Sequence, residues 1–546
     1  MLIGSQEEAR DINQPSVQAP LTPRPMLLIS SGAVRRCKQK ESMMAKLKRR
    51  IVKWGLSAAK VGLAASVVLG SAGLSQADEF DGFDGWDFGS IVQRGLERSS
   101  KVWFGVDRPL KESAPPTSGP YRTTAQKASD QVLLADGLKA EYVTRNVANA
   151  ADMFAFWPSD ESPTHLIFCI EGGRQTLTGG KLNPSVQRVR LFDGSVETIL
   201  RGMTACDGIR RTAWQTILAT EETSDGGAYE IINPLNVTNH TITNRASGDV
   251  VDENGMPSSA SIVKRMALPT MAWEGLAVLP SGVVIAGDEL RPGTGTPDVD
   301  GGAIFKFVPA APRTTSGPIS NLSESPLVAG NVYALRMSCT TGVQYGQGCE
   351  IGSGAWIAVG PTTARADADK LGATGYYRPE DLEQDEEYKG EGVRFCWTNT
   401  GDSDIGNYGE VLCGVDRAPL VADVTQQTVT ANRFVEGDAD LNQPDNFAFQ
   451  PKTGNHYVIE DNPNGDIFAC LPDGKDRDIK TDGCVKILSV KDSSAEPTGF
   501  KFAADGRTAY LSIQHSNDTN MSLVDGYATD DIIKITGFKI PFRFQQ

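Results

Sequence analysis

The strongest constraint on the fold is a unit of two short apolar strands, headed by an acid, that recurs along the chain. Each unit passes from an acidic residue through an apolar strand, a glycine turn and a second apolar strand to another acid or a histidine. Clear copies begin at Trp273, Arg378, Pro444 and Glu496. Helical periodicity is scarce after residue 140. About six irregularly spaced units therefore predict an all-β fold, a six-bladed β-propeller with loop insertions.

The shared phase of these acids predicts where they meet. If each head acid starts an innermost strand, the second strand returns to the same face and brings its last residues, such as Asp288 and Glu289, beside the head acids. Innermost strands surround the axis of a propeller, so acids from several blades converge on one channel mouth. Clustered buried carboxylates need a cation to stay ionised. The pattern predicts an axial metal site, with acids that merely form turns as the alternative.

The first 77 residues are expected to lie outside this fold. Residues 44–77 combine a basic head, an apolar middle of small residues and a Ser-Gln-Ala end, which predicts a secretory signal cut after Ala77. A membrane anchor is the alternative, and Arg49–Arg50 raises the twin-arginine export route. The predicted organisation is a disordered leader at 1–43, the signal at 44–77, an N-terminal extension at 78–140 and the propeller at 141–546.

The charge balance narrows the range of partners. The chain carries 53 basic and 68 acidic side chains, with a net charge of −15. This argues against a nucleic-acid partner, because little is left to neutralise a phosphate backbone. No sequence segment after Ala77 is apolar enough to span a membrane. Together with the signal, these features predict a periplasmic or secreted monomer that acts on a small molecule.

The cysteines fit an oxidising compartment. Three pairs that are close in sequence are expected to form disulfides, namely Cys339/Cys349, Cys396/Cys413 and Cys470/Cys484. Apart from Cys37 in the predicted leader, two cysteines then remain. Cys169 and Cys206 either form a fourth disulfide, or Cys169 packs in the core and Cys206 has a separate role.

Several short motifs follow one another along the chain. The first is a cysteine with a glycine-containing turn, followed by W-x-T-x-L and a glutamate pair, and it spans Cys206 to Glu222 with Trp214, Thr216 and Leu218 between them. The others are R-P-E-D at 378–381, P-D-N at 444–446, T-G-x-x-F at 498–502, D-G-R-T at 505–508 and I-Q-H at 513–515. Taken in order, these motifs resemble those of the PhoX-type alkaline phosphatases, a family of secreted bacterial proteins.

The resemblance implies an axial site that holds ferric iron and calcium, bridged by an oxo group, and that cleaves phosphate monoesters. It makes Arg378 and Glu380 the catalytic candidates, with Arg378 contacting the substrate phosphate. Carboxylates suit calcium and ferric iron, and a lone thiolate would favour iron. The implied metal ligands are Cys206, Glu222, Glu274, Glu380 and Asp445, with Asp288 as an addition and Glu496 as an outer or calcium ligand beside His515.

The chain departs from the family pattern near the predicted channel mouth. The segment after Cys206 is one residue longer and lacks the usual glycine pair, and residues 513–518 replace the usual His-Pro-Gly. Two other functions therefore stay open. One is a calcium-dependent, lactonase-like hydrolase, and the other is a catalytically silent binding propeller.

Overall fold

The computed structural model describes residues 88–292, 301–337, 350–472 and 483–540. These residues all lie in one compact unit, Asp81–Gln546. The predicted leader, the predicted signal and the predicted Cys339/Cys349 disulfide fall outside the described residues. Within those residues, no helix is long and apolar enough to cross a membrane.

Strands make up most of the regular secondary structure in the described chain, as the all-β prediction expects. The first sheet contains β3 (Ala151–Trp157), β4 (His165–Ile170), β5 (Pro184–Arg190), β6 (Val196–Arg201), β10 (His240–Asn244) and β11 (Asp249–Val251). The second contains β7 (Cys206–Arg211), β8 (Thr216–Glu221), β9 (Ala228–Ile232) and β12 (Ile262–Lys264).

The third and largest sheet has two antiparallel halves that are joined edge to edge by β17 and β22. One half contains β13 (Trp273–Val278), β14 (Val284–Asp288), β15 (Gly302–Pro309), β16 (Gly330–Met337) and β17 (Gly352–Val359), with β18 (Gly375–Tyr376) paired to β15. The other half contains β19 (Pro379–Gln384), β20 (Val393–Asn399), β21 (Glu410–Asp416) and β22 (Val429–Glu436).

The last two sheets are each completed by a strand from the N-terminal part of the chain. The fourth sheet contains β23 (Pro444–Phe449), β24 (His456–Glu460), β25 (Asp466–Cys470), β26 (Cys484–Val490) and β1 (Val132–Leu134). The fifth contains β27 (Glu496–Phe502), β28 (Thr508–Gln514), β29 (Thr529–Thr536) and β2 (Lys139–Ala148). The added strands cover edges that would otherwise expose unpaired backbone groups.

Helices are few and short among the described residues. The α-helices span Phe88–Arg98, Ser100–Trp103, Ala128–Gln131 and Ala364–Leu371, and the 3₁₀ turns span Leu322–Glu324, Pro326–Val328 and Ser403–Ile405. None of these elements carries an acid of the site described below.

Six strands line the centre of the fold. β3, β7, β13, β19, β23 and β27 contact one another in that cyclic order, and β27 returns to β3. We call them the ring strands. Each is followed directly in the chain by the strand that pairs with it. The start of every ring strand and the end of its partner therefore lie at the same face.

Apolar side chains fill the spaces between neighbouring sheets. Leu218 of β8 packs in one cluster with Leu276 of β13 and Phe305 of β15, and Tyr457 of β24 stacks on Phe500 of β27 with ring centroids 5.4 Å apart. The middle strands β8 and β14 are buried along their whole length, so most of their residues are apolar. This is why they were recognisable in the sequence.

Candidate metal centre

Each ring strand is interrupted near its start by an irregularity in register. In five of them the slip follows the first residue, and in β27 it follows the third. A bulge breaks the alternation of side chains and re-aims them. In those five strands the residue at the slip is an acid: Asp152, Asp207, Glu274, Glu380 and Asp445. We call these the inner acids.

Glycines next to two inner acids allow the ring strands to approach closely. A Cβ atom on Gly208, which follows Asp207, would lie 2.0 Å from the backbone oxygen of Glu274. A Cβ atom on Gly275, which follows Glu274, would lie 1.9 Å from the backbone nitrogen of Leu382. Real Cβ atoms cannot come this close to backbone, so only glycine permits this spacing of the inner acids.

A second tier of polar groups follows the partner strands and surrounds the inner acids. Each group stands directly after the strand that returns to the face: Glu171, Glu222, Glu289, Asp461 and His515. Glu496, the first residue of β27, lies at the same face. We call these six the rim groups. Their position matches the prediction that residues ending the second strands arrive beside the head acids.

The two tiers bring carboxylates together in three overlapping groups. Within each group, one ligand atom of every member lies within 4.8 Å of the others. The groups are Asp152–Glu171–Asp207, Asp207–Glu222–Glu274 and Glu274–Glu380–Asp445. Asp207 and Glu274 each belong to two groups, so the ligand atoms form one continuous row.

Three inner acids have carboxylate oxygens without a partner. Asp207, Glu274 and Glu380 are 3%, 5% and 1% exposed. Asp207 Oδ1, Glu274 Oε2 and Glu380 Oε2 accept no hydrogen bond from any residue that the structure describes. A buried oxygen of this kind is costly unless it is satisfied. Hard cations such as calcium and ferric iron take carboxylate oxygen ligands, so these residues fit such ions.

Burial raises the pKa values of the inner acids far above those of ordinary carboxyls. Burial, with repulsion from Glu171, raises the pKa of Asp152 to about 8. It also raises the pKa of Glu380 to about 8, although the Arg378 guanidinium opposes this shift. The pKa values of Asp207 and Glu274 are raised well above the usual range by burial and by neighbouring carboxylates. Only a cation would hold the whole row ionised at neutral pH.

The rim contains carboxyl pairs that need a shared proton or a shared cation. Glu222 contacts Glu289 and Glu171 at hydrogen-bond distance, and Glu496 contacts Asp461 in the same way. Burial, followed by the hydrogen bond that the protonated Glu222 donates to Glu289, raises the pKa of Glu222 well above its usual range. The rim carboxyls, like the inner acids, therefore suit a cation.

Arg378 is the basic residue at the centre of this acidic region. Its Nε donates to Glu289 Oε1 at 2.7 Å, and its terminal nitrogens lie 2.8 Å from Glu380 Oε1 and 3.2 Å from Asp461 Oδ2. Its φ of 54° lies in the left-handed region, which is unusual for a side chain of this size. The side chain therefore joins one inner acid to two rim groups and holds the guanidinium beside Glu380 in the row.

Glu496 and His515 lie together at the rim. His515 Nε2 is 3.3 Å from Glu496 Oε1 and 3.9 Å from Glu171 Oε2. Burial and repulsion from Asp461 raise the pKa of Glu496 to about 9. Glu496 is outside the three groups described above, and its predicted role as an outer ligand stays a prediction.

The predicted thiolate ligand Cys206 is not supported by the structure. Cys206 and Cys169 form a disulfide, which was one of the two alternatives left open by the sequence. A sulfur in a disulfide carries no thiolate and is a poor metal ligand. The bond instead links β7 to β4 immediately beside Asp207 and close to Glu171. Cys206 is thus corrected from ligand to a link between the strands that carry two acids of the row.

Asp288 is also corrected. Its Oδ2 accepts from Arg365 Nε at 2.6 Å, the other oxygen pairs with the same guanidinium, and the backbone nitrogen of Ala272 donates to Oδ1 at 3.0 Å. All of these groups are buried. Because side chains alternate along β14, Asp288 turns away from the channel and its neighbour Glu289 faces the rim. Asp288 stabilises the start of β13 and belongs to none of the three groups.

Three members of the row were not predicted: Asp152, Glu171 and Asp207. Asp152 lies in β3, ahead of every unit named in the sequence analysis. Asp207 was overlooked beside Cys206, although it has the same position in its strand as Glu274, Glu380 and Asp445. That position, second in a strand that starts a unit, was the signal that would have identified Asp152 and Asp207.

Comparison with known proteins finds a family match that covers most of this region. The family model described as alkaline phosphatase PhoX matches residues 185–517. This range includes four of the five inner acids, Arg378 and the rim groups after Glu171. Comparison with curated protein sequences gives no match.

Two solved structures can be aligned with most of the chain. PhoX from Pseudomonas fluorescens, in complex with the transition-state analogue vanadate, is 16% identical with a TM-score of 0.50, over 78% of this chain and 98% of that chain. A gluconolactonase from Xanthomonas campestris is 13% identical with a TM-score of 0.36, over 79% of this chain and 98% of that chain.

Proposed function

Since this chain belongs to the alkaline phosphatase PhoX family, we propose that it is an exported phosphatase that hydrolyses phosphate monoesters at a cluster of ferric iron and calcium held by the inner acids. One observation carries this proposal. Three overlapping carboxylate groups with buried, unpaired oxygens lie side by side in the ring. A row of this kind suits several cations placed close together.

The ligands would come from both tiers. Glu274, Glu380 and Asp445 would hold one ion, and Asp207, Glu222 and Glu274 a second, with Asp152 and Glu171 extending the row. When bound, such cations draw charge from phosphate oxygens and lower the pKa of bound water. With the ligand set made of oxygens alone, selection of iron would depend on ion charge and site size.

The chain's own residues would orient the substrate. Arg378 lies beside Glu380 in the row with a planar guanidinium, which matches two phosphate oxygens at once. Glu289 and Asp461 hold this side chain in place, so it would not have to be ordered when the substrate binds. Glu380 contacts Arg378 and also belongs to the row, so in this proposal the phosphate would bind beside this pair.

The cyclic order of the ring strands supports a six-bladed propeller, in which the largest sheet supplies two blades. The pairing of β1 with β26 of the fourth sheet supports an N-terminal extension at 78–140 that enters the fold. In this proposal residues 1–43 are a leader, residues 44–77 are an export signal, and the mature protein acts as a monomer.

Hydrolysis of an aryl phosphate by the purified mature protein tests the proposal. Chelation should abolish activity, and iron with calcium should restore it. Glu380→Gln should lower the rate by at least about 100-fold, whereas Glu253→Gln, at an exposed turn, should leave it unchanged. Full activity after chelation, or in Glu380→Gln, would overturn the proposal.

A calcium-dependent lactonase-like hydrolase is a second candidate, favoured by one observation. With Cys206 in a disulfide, the row offers only oxygen ligands, which calcium accepts without iron. Calcium as the sole bound metal, together with turnover of a lactone and not of phosphate esters, would favour this function.

A further inference from the structure

A second cluster of metal-binding side-chain types lies between the third and fourth sheets. One ligand atom each of Cys396, Cys413 and His456 lies within 4.8 Å of the other two. Cys396 and Cys413 stand directly opposite each other on β20 and β21 and form a disulfide. His456 begins β24, whereas the rim group Asp461 follows the end of that strand. The cluster is therefore separate from the carboxylate row.

His456 is an anomaly in the core. The residue is 0% exposed, and neither ring nitrogen has a hydrogen-bond partner in the part of the chain that the structure describes. Its ring packs among phenylalanines, with centroids 3.9 Å from Phe434, 4.7 Å from Phe449 and 5.2 Å from Phe447. Buried polar groups are almost always bonded, so two unpaired nitrogens call for an explanation.

The chemistry of Cys396, Cys413 and His456 explains the two unpaired ring nitrogens. Burial lowers the pKa of His456 well below its usual value, so the imidazole is neutral and has a free lone pair. Two thiolates and a neutral imidazole are a zinc-type ligand set. In a tetrahedral site two thiolate sulfurs lie about 3.8 Å apart, but in a disulfide they lie about 2.05 Å apart. The ion and the Cys396–Cys413 disulfide therefore exclude each other.

We propose that the thiol form of this chain binds one thiophilic ion of the Zn²⁺ type between Cys396, Cys413 and His456, and that disulfide formation removes this site. The core around the ion is apolar and excludes competing water. Cys470, directly opposite His456 on the neighbouring strand, is a fourth ligand once its own disulfide with Cys484 is reduced. The inference does not depend on the proposed phosphatase function.

A disulfide oxidant converts the zinc-bound thiol form into the form with the Cys396–Cys413 disulfide. The two zinc-bound thiolates of Cys396 and Cys413 pass two electrons to the oxidant and become bonded to each other. The oxidant takes up these electrons with two protons and leaves as a dithiol. A second equivalent of the oxidant rejoins Cys470 with Cys484 in the same way. The ion is released as Zn²⁺, because no thiolate of the four cysteines then remains to bind it. An imidazole that serves in the thiol form is then left without a partner, as the structure shows.

Cobalt is a suitable probe because its spectrum reports thiolate ligands and tetrahedral geometry. The mature chain is prepared without oxygen in its thiol form, and its fold is checked by circular dichroism. One equivalent of Co²⁺ should produce thiolate-to-cobalt charge-transfer bands and the visible bands of a tetrahedral ion, and Zn²⁺ should displace it. The oxidised chain should show neither set of bands.

Two histidine variants distinguish a role of His456 in binding the ion from a role in packing. His456→Phe fits the surrounding phenylalanines, so it should keep the oxidised fold and activity but weaken tetrahedral Co²⁺ binding in the thiol form at least ten-fold. His165→Phe, at a partly exposed strand position, should keep the bands. The thiols of Cys169 and Cys206 contribute equally to the Co²⁺ spectra of the two variants, so their contribution cancels when the variants are compared. A thiol form that does not fold, shows no such bands, or keeps them in His456→Phe would overturn the proposal.

Discussion

The carboxyl groups of Asp207 and Glu274 lie within hydrogen-bond distance of each other on neighbouring ring strands. Each also has one buried oxygen that accepts no hydrogen bond from the described residues. Two carboxylates so close repel each other strongly unless a proton or a cation lies between them. Because each belongs to two of the three ligand groups, this pair is the centre of the proposed metal row.

The metal-free protein should become less stable as the pH rises. Asp152 and Glu380 have folded-state pKa values of about 8 and Glu496 of about 9, against about 4 in the unfolded chain. Between these values the folded chain holds more protons, so its free energy of unfolding falls as pH increases from about 4 to about 9. Melting of chelated protein at pH 5 and pH 8 measures this loss. The metal-loaded protein should show little of it, and equal slopes for the two forms would contradict the account.

Arg378→Lys should keep the fold and impair turnover. A lysine retains the charge but loses the planar fork, so it cannot contact two phosphate oxygens and the surrounding acids together. We expect kcat/KM for an aryl phosphate to fall by about 10- to 100-fold with bound metal unchanged. Arg190→Lys, an exposed pair with Asp193, is the matched control. Equal kinetics for the two variants would remove Arg378 from the substrate site.

The double variant Cys169→Ala/Cys206→Ala should be destabilised but should still bind metal. The disulfide closes a loop with a sequence separation of 37, and its removal should lower the free energy of unfolding by about 2 to 4 kcal/mol. Urea denaturation measures this change. Since neither sulfur is a ligand in this account, bound iron per folded chain should be retained. A folded variant that has lost all its iron would show that Cys206 is a ligand after all.

Arg365→Met should destabilise the fold through Asp288 rather than through the metal row. The substitution leaves a buried carboxylate without its partner, which costs about 3 to 5 kcal/mol. Denaturation with the metal loaded measures the loss. At temperatures where the variant is folded, its metal content should equal that of the parent. Selective loss of metal would restore Asp288 as a ligand.

The regular part of the site was predictable from the sequence. Glu222, Glu274, Glu380 and Asp445 could be identified because apolar strands and acids recur with one phase, and that phase is fixed by strand pairing. The register slip in each ring strand could not be predicted, since bulges depend on contacts between strands. The slip is common to all five inner acids, so Asp152 and Asp207 were missed for another reason: their position in the strand was not compared with that of the other acids.

The sequence also could not show which group a given side chain contacts in the fold. The sequence could not show whether Cys206 would meet Cys169 or a metal, because the two cysteines are brought together by folding alone. Asp288 and Glu289 are adjacent acids at the end of one strand, and only the position of Arg365 decides which of them is neutralised within the core. The pairs Cys396/Cys413 and Cys470/Cys484 were predicted correctly because each spans a single hairpin.

Elemental analysis of the pure mature protein, beside the variant Asp207→Asn/Glu274→Gln, tests the central claim most directly. Each substitution keeps the size of the side chain and removes the charge that the row offers to a cation. The parent should contain iron and calcium in fixed ratios to protein, and the variant should be folded and largely free of both. A parent that is folded and active without bound metal, or a variant that keeps the full metal content, would contradict the account.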